Sequence, residues 1–99
     1  RIFQQVSPEQ IVLAVNERGA EELAKFQKKN SRRPKCFELL FGRKTPCKNC
    51  PFFRVLSDKE MHSLRYQPFP ELPAIEIELE PNFDENFEVV SVSETLFFA

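Results

Sequence analysis

The sequence predicts an α+β domain, in which a five-stranded antiparallel sheet carries two short helical segments on one face. Short apolar runs typical of strands lie near both ends of the chain. A segment with helical spacing and capping signals follows the N-terminal runs. Residues 75–80 alternate strictly between apolar and acidic side chains, as in a strand with one solvated face. At 99 residues the chain can bury one core, so we expect a single domain over residues 1–99.

A hairpin and a helix are predicted for the first third of the chain. Residues 2–6 are a short apolar run, Pro8 interrupts the chain with a turn, and residues 11–15 form a β-branched run typical of a buried strand. The side chain of Asn16 can then cap a helix over about residues 17–28. Acidic residues early in this segment and lysines late in it suit the helix dipole.

A second short helix and a turn are predicted for the middle of the chain. Pro34 fits the first turn of this helix, and Gly42 fits its left-handed cap. Cys36 shares a helical face with the leucines that follow it, so its side chain is expected to point with theirs. Residues 47–50 are predicted to form a tight turn, after which the apolar segment 52–56 returns to the core.

Three strands are predicted to close the chain. Residues 61–69 alternate weakly, and the three prolines of residues 68–73 restrict that stretch to a loop or a sheet edge. The clean alternation of residues 75–80 predicts the next strand, and a hairpin turn is expected at residues 82–86.

The last strand, residues 87–98, is apolar on both of its alternating sets of side chains. A strand with one solvated face would not have this pattern, so we predict that it is the central strand and that its outer face is covered. A homodimer formed through the sheet would provide that cover, with Val90 and Val92 as the candidate residues of the dimer face.

Charge is divided unevenly along the chain, although the net charge is only −1. All 14 Lys and Arg residues lie within residues 1–65, and every charged residue after Tyr66 is acidic. The basic block between Lys25 and Lys48 is most simply a solvated face. Nucleic-acid binding is disfavoured, because the acidic C-terminal third and the near-neutral total charge would repel phosphate.

The element order resembles that of a PAS domain, a sensory module of bacterial signalling proteins. Residues 11–23 are similar to that family's second strand and first helix, and residues 77–95 to its last hairpin. The cysteine segment resembles the motif of a cysteine-bearing subgroup found in sensor histidine kinases and related regulators. The residues that match this motif are Cys36, Phe37, Glu38, Gly42, Arg43, Pro46, Cys47, Cys50 and Pro51. The chain departs from the family pattern at Ser93–Glu94–Thr95, where Asp–Ile–Thr is usual, and in a hairpin without glycine.

Three thiols provide the most specific chemistry in the sequence, and three interpretations of them are open. Cys47 and Cys50 have the spacing that lets two sulfurs bind one metal, with Cys36 and the single histidine, His62, as the remaining candidate ligands of a zinc or iron–sulfur site. The same spacing in a reducing compartment is compatible with a reversible disulfide that reports redox state. In the third interpretation the cysteines are structural.

The resemblance to PAS domains implies a ligand cavity beside the segment that joins the first helix to the third strand. The pocket candidates are Leu40, Phe41, Phe53, Leu64 and Ile77, although the phenylalanines also suit a core. The ligand of such a pocket is not identifiable from these residues.

No catalytic set is visible in the sequence, which lacks a Ser/His/Asp arrangement and a phosphate-binding loop. The resemblance implies a sensory and dimerisation module of a two-component system, with enzymatic activity in another part of a parent histidine kinase. Because the chain begins at Arg1 without Met, we expect it to belong to a longer protein. No apolar run approaches the roughly 20 residues of a membrane span, so we expect a cytoplasmic domain without membrane contact, whether or not the parent is anchored.

Overall fold

The structure, a computed structural model, describes residues 1–47 and 50–98. The elements follow the chain order ββαααβββ. The strands are β1 (Ile2–Val6), β2 (Val12–Val15), β3 (His62–Tyr66), β4 (Ile75–Phe83) and β5 (Val89–Phe97), and the helices are α1 (Glu17–Gln27), α2 (Cys36–Phe41) and α3 (Pro51–Asp58). Within the described ranges, every helix is too short and too polar to cross a membrane.

The five strands form one antiparallel sheet in the order β2-β1-β5-β4-β3. The C-terminal strand β5 is therefore the middle strand, as the sequence predicted. It pairs with β1 on one side and with β4 on the other. The predicted α+β architecture of an antiparallel sheet with short helices is confirmed.

The strict alternation of β4 separates the two faces of the sheet. Ile75, Ile77 and Leu79 are buried, while the glutamates between them are exposed. The apolar set belongs to the core, which lies between the inner face of the sheet and the helices. Its buried members are Val6, Val12, Cys36, Leu39, Phe52, Val55, Ile75, Ile77, Leu79, Val92 and Leu96.

The predicted N-terminal cap of α1 and C-terminal cap of α2 are confirmed, but the predicted start of α2 is wrong: the helix begins at Cys36, so Pro34 precedes it and is not in its first turn. Asn16 Oδ1 accepts a hydrogen bond of 3.1 Å from the backbone N–H of Gly19 and thereby caps α1. Gly42 ends α2 at φ +64°, and its N–H donates to the carbonyl oxygen of Glu38. A left-handed residue at this position is the usual way to satisfy the last carbonyl groups of a helix.

The helix α3 was not among the predicted elements, and the expectation of two helical segments was incomplete. Pro51 occupies its first position, where a missing N–H costs nothing. Phe52 and Val55 are fully buried at helical spacing, whereas Phe53 between them is 47% exposed. The turn that follows β4 also differs from the prediction, because β4 continues to Phe83 and the turn occupies residues 84–88.

The inference that β5 is apolar on both faces was wrong, and a β-bulge explains the error. Asn82 pairs with Ser91 and Phe83 pairs with Val89, so Val90 has no partner in this register. The extra residue shifts the alternation by one, which places both Val89 and Val92 on the inner side. Val92 is fully buried in the core and is not available to a dimer face, whereas Val90 is 48% exposed. The outer face of β5 carries the small polar residues Ser91, Ser93 and Thr95, followed by Phe97 at the end of the strand.

Candidate functional site

The three cysteines meet on the inner side of the sheet. Cys36 is the first residue of α2, Cys47 lies in the loop after that helix, and Cys50 is the residue that precedes α3. All three are free thiols that line one small cavity, which offers about 10 Å³ to the centre of a water-sized molecule. The rest of its wall comes from α2, α3 and the strands β3, β4 and β5: Leu40, Phe41, Pro51, Tyr66, Ile75, Ile77, Glu94 and Leu96.

Cys47 and Cys50 form a hydrogen-bonded pair with unequal proton affinities. The pKa of Cys47 is lowered, chiefly because the thiol of Cys50 donates a hydrogen bond to it and secondarily because Tyr66 does so. The same bond raises the pKa of Cys50, and burial adds to that effect. Cys47 is only 7% exposed. Cys47 is therefore the member of the pair that ionises first, and Cys50 is its proton donor.

Cys36 differs from this pair because it is part of the core. It is 4% exposed, and burial raises its pKa well above the ordinary value. The nearby Glu94 and Cys47 raise it further, since a thiolate at Cys36 would meet their negative charge. Cys36 thus remains a protonated thiol beside the Cys47–Cys50 pair.

Glu94 places a carboxyl group in the middle of the core. It is 1% exposed on the central strand β5, and burial raises its pKa to about 7. Gln4 on β1 lies directly opposite and donates a hydrogen bond of 2.7 Å from Nε2 to Glu94 Oε1, which partly offsets the effect of burial. The amide oxygen of Gln4 is buried and has no hydrogen-bond partner among the described residues.

Glu94 was not among the site residues predicted from the sequence, although the sequence contains a signal for it. Val92, Glu94 and Leu96 have the same parity on β5, and the two flanking side chains are buried. An acid between two core residues on an alternating strand must either be buried or disrupt the strand. The departure from the PAS pattern at residues 93–95 therefore marks a residue of the cavity.

Tyr66 adds a phenolic group from β3 to the same cavity. Its hydroxyl group is hydrogen-bonded to Cys47. Burial raises the pKa of Tyr66 above the ordinary value, and the nearby cysteines raise it further. Tyr66 therefore acts as a neutral donor toward Cys47.

The loop after α2 and the loop after β3 make contact beside the cavity. The side chain of Arg43 is ion-paired with Glu71, and its guanidinium carbon lies 4.4 Å from the ring centre of Phe69. The Phe69 ring in turn makes an edge-to-face contact of 5.5 Å with Phe41, which lines the cavity. We refer to Phe41, Arg43, Phe69 and Glu71 as the clasp.

His62 does not join the thiols. Its Nε2 lies 2.8 Å from Asp58 Oδ2 at the end of α3, outside the cavity. The pKa of Asp58 is lowered, mainly by a hydrogen bond from the N–H of Glu60 and also by His62. Over residues 1–47 and 50–98, no three His, Cys, Asp or Glu side chains lie close enough to bind one metal ion. The geometry thus gives no support to a zinc or iron–sulfur site made from Cys36, Cys47, Cys50 and His62.

Three of the five predicted pocket residues line the thiol cavity, and two do not. Leu40, Phe41 and Ile77 line the thiol cavity. Leu64 packs against the core without lining the cavity, and Phe53, which is 47% exposed, does not line it either. A larger open depression of about 580 Å³ lies between α1, α2 and the chain ends, but none of the thiols line it. Its floor is apolar and its rim is largely acidic: Ile2, Glu17, Arg18, Glu21, Glu22, Leu39, Leu40 and Phe98.

Comparison with known proteins supports the fold. A sensory box sensor histidine kinase from Vibrio cholerae superposes on the chain with a TM-score of 0.61, covering 97% of this chain and 76% of that one at 15% sequence identity. At this identity the likeness shows the fold, which is that of a sensory box or PAS domain. No family model and no curated protein matches the chain.

Proposed function

We propose that this domain is a sensory module of a bacterial signal-transduction protein and that it senses the oxidation state of the Cys47–Cys50 thiol pair. One observation carries the proposal: a pair of contacting thiols with unequal proton affinities lies against the central strand of a PAS-like sheet. A thiol that ionises readily beside a protonated partner is the arrangement used for reversible disulfide chemistry.

Oxidation of the pair would change the contacts between the helices and the sheet. Disulfide formation removes one proton and one electron from each thiol and passes both electrons to the oxidant. It also abolishes the hydrogen bond from Cys50 to Cys47. Tyr66, on β3, loses the ionisable Cys47 sulfur as its hydrogen-bond acceptor. Because Cys50 directly precedes α3, a shorter sulfur–sulfur distance would shift the start of that helix relative to the sheet.

The response is a population shift between two arrangements of the sheet and its helices, and the two oxidation states must stabilise these arrangements unequally. Glu94, on the middle strand β5, lines the same cavity as the thiols. A change at the thiols can therefore affect β5 directly, without an intervening element. In this proposal the domain itself is not catalytic. Its output passes to another part of the parent protein, which the likeness to a sensory box histidine kinase suggests is a kinase.

Self-association through the sheet stays a prediction. Its original support, an apolar outer face on β5, is weakened, because small polar residues occupy most of that face before Phe97. Exposed apolar side chains remain at Phe3 on β1 and at Leu13 in the bulge of β2. The mass measured by light scattering over a range of concentrations tests this prediction.

Hydrogen exchange measured by mass spectrometry tests the redox proposal. The reduced protein and the protein oxidised by diamide are compared, and we expect exchange to differ in α3 and in the central strand β5. The double variant Cys47→Ser/Cys50→Ser, treated in the same way, should show no difference. Identical exchange in the sheet of the two oxidation states, with the disulfide verified by mass, would refute the proposal.

A further inference from the structure

We propose that the oxidant taken up by this site is a small hydroperoxide, with hydrogen peroxide as the simplest member, that Cys47 is the sulfur that attacks it, and that Glu94 supplies the proton to its leaving oxygen. This inference rests on the proposed redox function and names the substrate class and the roles of the residues. It draws on three features: the size of the cavity, the unequal thiol pair and the carboxyl group in the same wall.

The size of the cavity selects among oxidants. It offers about 10 Å³, which is near the smallest volume that holds one buried water molecule. Hydrogen peroxide has one oxygen atom more than water and needs the least widening of the wall. A disulfide such as oxidised glutathione must instead bring a bulky sulfur into line with the sulfur of Cys47, a residue that is only 7% exposed. The buried position of Cys47 therefore favours the small oxidant.

The first step needs a thiolate nucleophile. Cys50 and Tyr66 both donate hydrogen bonds to Cys47 and favour its ionised form. In the attack, the Cys47 sulfur forms a bond to one peroxide oxygen and the O–O bond breaks. Sulfur is oxidised, the two oxygens are reduced, and the departing oxygen leaves as hydroxide unless it receives a proton.

Glu94 is placed to supply this proton. Its carboxyl group lines the same cavity as the Cys47 thiol, and burial keeps it protonated up to about pH 7. Transfer of that proton converts the leaving oxygen to water, so that the products are a sulfenic acid at Cys47, one water molecule and a Glu94 carboxylate. A positioned general acid typically accelerates such a step by about 10²–10⁴-fold.

The second step uses Cys50, whose thiol is already in contact with Cys47. Its sulfur attacks the sulfenic sulfur, the S–S bond forms and the S–O bond breaks. The hydroxyl group leaves with the proton of Cys50 as a second water molecule. The proton that Cys47 releases to solvent on ionising balances the one that Glu94 takes back from solvent. In sum, one hydrogen peroxide and two thiols give one disulfide and two waters.

The order of oxidation tests the roles of the two cysteines. The reduced chain is mixed with hydrogen peroxide in the presence of dimedone, which traps sulfenic acid, and the adducts are located by mass spectrometry. In the Cys50→Ser variant we expect the adduct to accumulate at Cys47. In the Cys47→Ser variant we expect no adduct at Cys50. A sulfenic acid found first at Cys36 or Cys50 would overturn the assignment of Cys47.

The rate of oxidation tests Glu94. At pH 6 we expect Glu94→Gln to react with hydrogen peroxide at least about tenfold more slowly than the wild-type protein. Its reaction with iodoacetamide should be unchanged, because iodide leaves without a proton, and an effect of the substitution on packing alone would change both rates. The matched variant Glu78→Gln, at an exposed position on the outer face of β4, should react like wild type. Equal slowing of both reactions in Glu94→Gln would refute proton donation.

The choice of oxidant separates this inference from the proposed function. We expect hydrogen peroxide to form the disulfide faster than oxidised glutathione does at the same concentration. If oxidised glutathione is as fast or faster, the hydroperoxide assignment is refuted, whereas a change in exchange of the sheet upon disulfide formation would still support the redox function. If the disulfide forms rapidly with hydrogen peroxide but leaves the sheet unchanged, the assignment of the oxidant is supported and the sensory function is refuted.

Discussion

Gln4 and Glu94 face each other across β1 and β5 and join two buried polar side chains by one hydrogen bond of 2.7 Å from Nε2 to Oε1. Both side chains are at most 1% exposed, in the middle of the sheet. One hydrogen bond does not compensate for the loss of water around a carboxylate, so the protonated form of Glu94 is favoured in the folded state. The central strand therefore carries a group whose charge depends on pH near neutrality.

The Glu94→Gln substitution is expected to remove a pH dependence of stability. The folded pKa of Glu94 is raised from 4.5 to about 7, so between these pH values the folded state holds more protons than the unfolded state. Stability is then greatest below pH 4.5 and falls as pH rises toward 7, by about 3 kcal/mol. The Gln variant should match wild type below pH 4.5 and exceed its free energy of unfolding by a similar amount at pH 8. Urea unfolding at a series of pH values measures both.

Glu78→Gln is the control for this experiment, since it removes an exposed carboxyl group from the outer face of the neighbouring strand. It should leave the pH profile between 5 and 8 as in wild type. Parallel profiles of wild type and Glu94→Gln across this range would contradict the assignment of the pH dependence to Glu94.

The ion pair between Arg32 and Glu38 gives stability with the opposite pH dependence. Arg32 donates two hydrogen bonds of 2.8 and 2.7 Å to the carboxylate of Glu38, and this contact lowers the pKa of Glu38 to about 2. The stabilisation is present above the ordinary value of 4.5 and is lost as pH falls toward 2. For Arg32→Gln we expect a small decrease in unfolding temperature at pH 7, since one partner is 57% exposed, and a smaller one at pH 2.

The decrease that remains at pH 2 should reflect the contact of the Arg32 guanidinium with the ring of Phe26, which does not depend on the charge of Glu38. Lys25→Gln is the control, because it removes an exposed ion pair of α1 and should have almost no effect. A loss for Arg32→Gln that stays constant from pH 7 to pH 2 would speak against the Glu38 contact as its source.

Local signals determined much of the fold. The alternation of residues 75–80, the cap at Asn16 and the left-handed Gly42 each depend on one or two residues, and these features are read correctly without any knowledge of the tertiary structure. The central place of β5 was predicted correctly for a partly wrong reason. The bulge at Val90 inverts the alternation, and a bulge depends on the pairing partner, which sequence alone does not show.

The candidate site was only half accessible from the sequence. The motif identified the three thiols, but the cavity also contains Tyr66 and Glu94, which come from distant strands and are brought to it by the sheet register. The position of the β4–β5 turn was also predicted wrongly, since the turn occupies residues 84–88 and lacks the usual glycine. There Phe87 adopts φ +62° and stacks on Phe83 at 4.3 Å, so a side-chain contact accompanies the unfavourable backbone conformation.

The left-handed end of α2 predicts a graded response at Gly42. A Cβ atom at this position would meet no atom within 4 Å, so only the backbone conformation at φ +64° opposes a side chain. Gly42→Ala should therefore lower the free energy of unfolding by about 1–2 kcal/mol. Gly42→Asn should cost less, because asparagine tolerates this conformation. Thermal or urea unfolding measures both, and a larger cost for Asn than for Ala would contradict a purely conformational effect.

The clasp predicts how fast the thiols react with reagents in solution. Arg43 contributes an ion pair with Glu71 and a contact with the Phe69 ring, which together hold the loop after β3 against the end of α2. Loss of the ring contact and the partly exposed ion pair in Arg43→Ala should ease local opening by roughly 1 kcal/mol. Because modification proceeds through such openings, iodoacetamide should label Cys47 and Cys50 about fivefold faster under native conditions. Arg65→Ala, at an exposed position of β3, should label at the wild-type rate. Equal labelling rates for Arg43→Ala and wild type would mean that the thiols are reached by another route, and the clasp would then have no part in controlling access to the cavity.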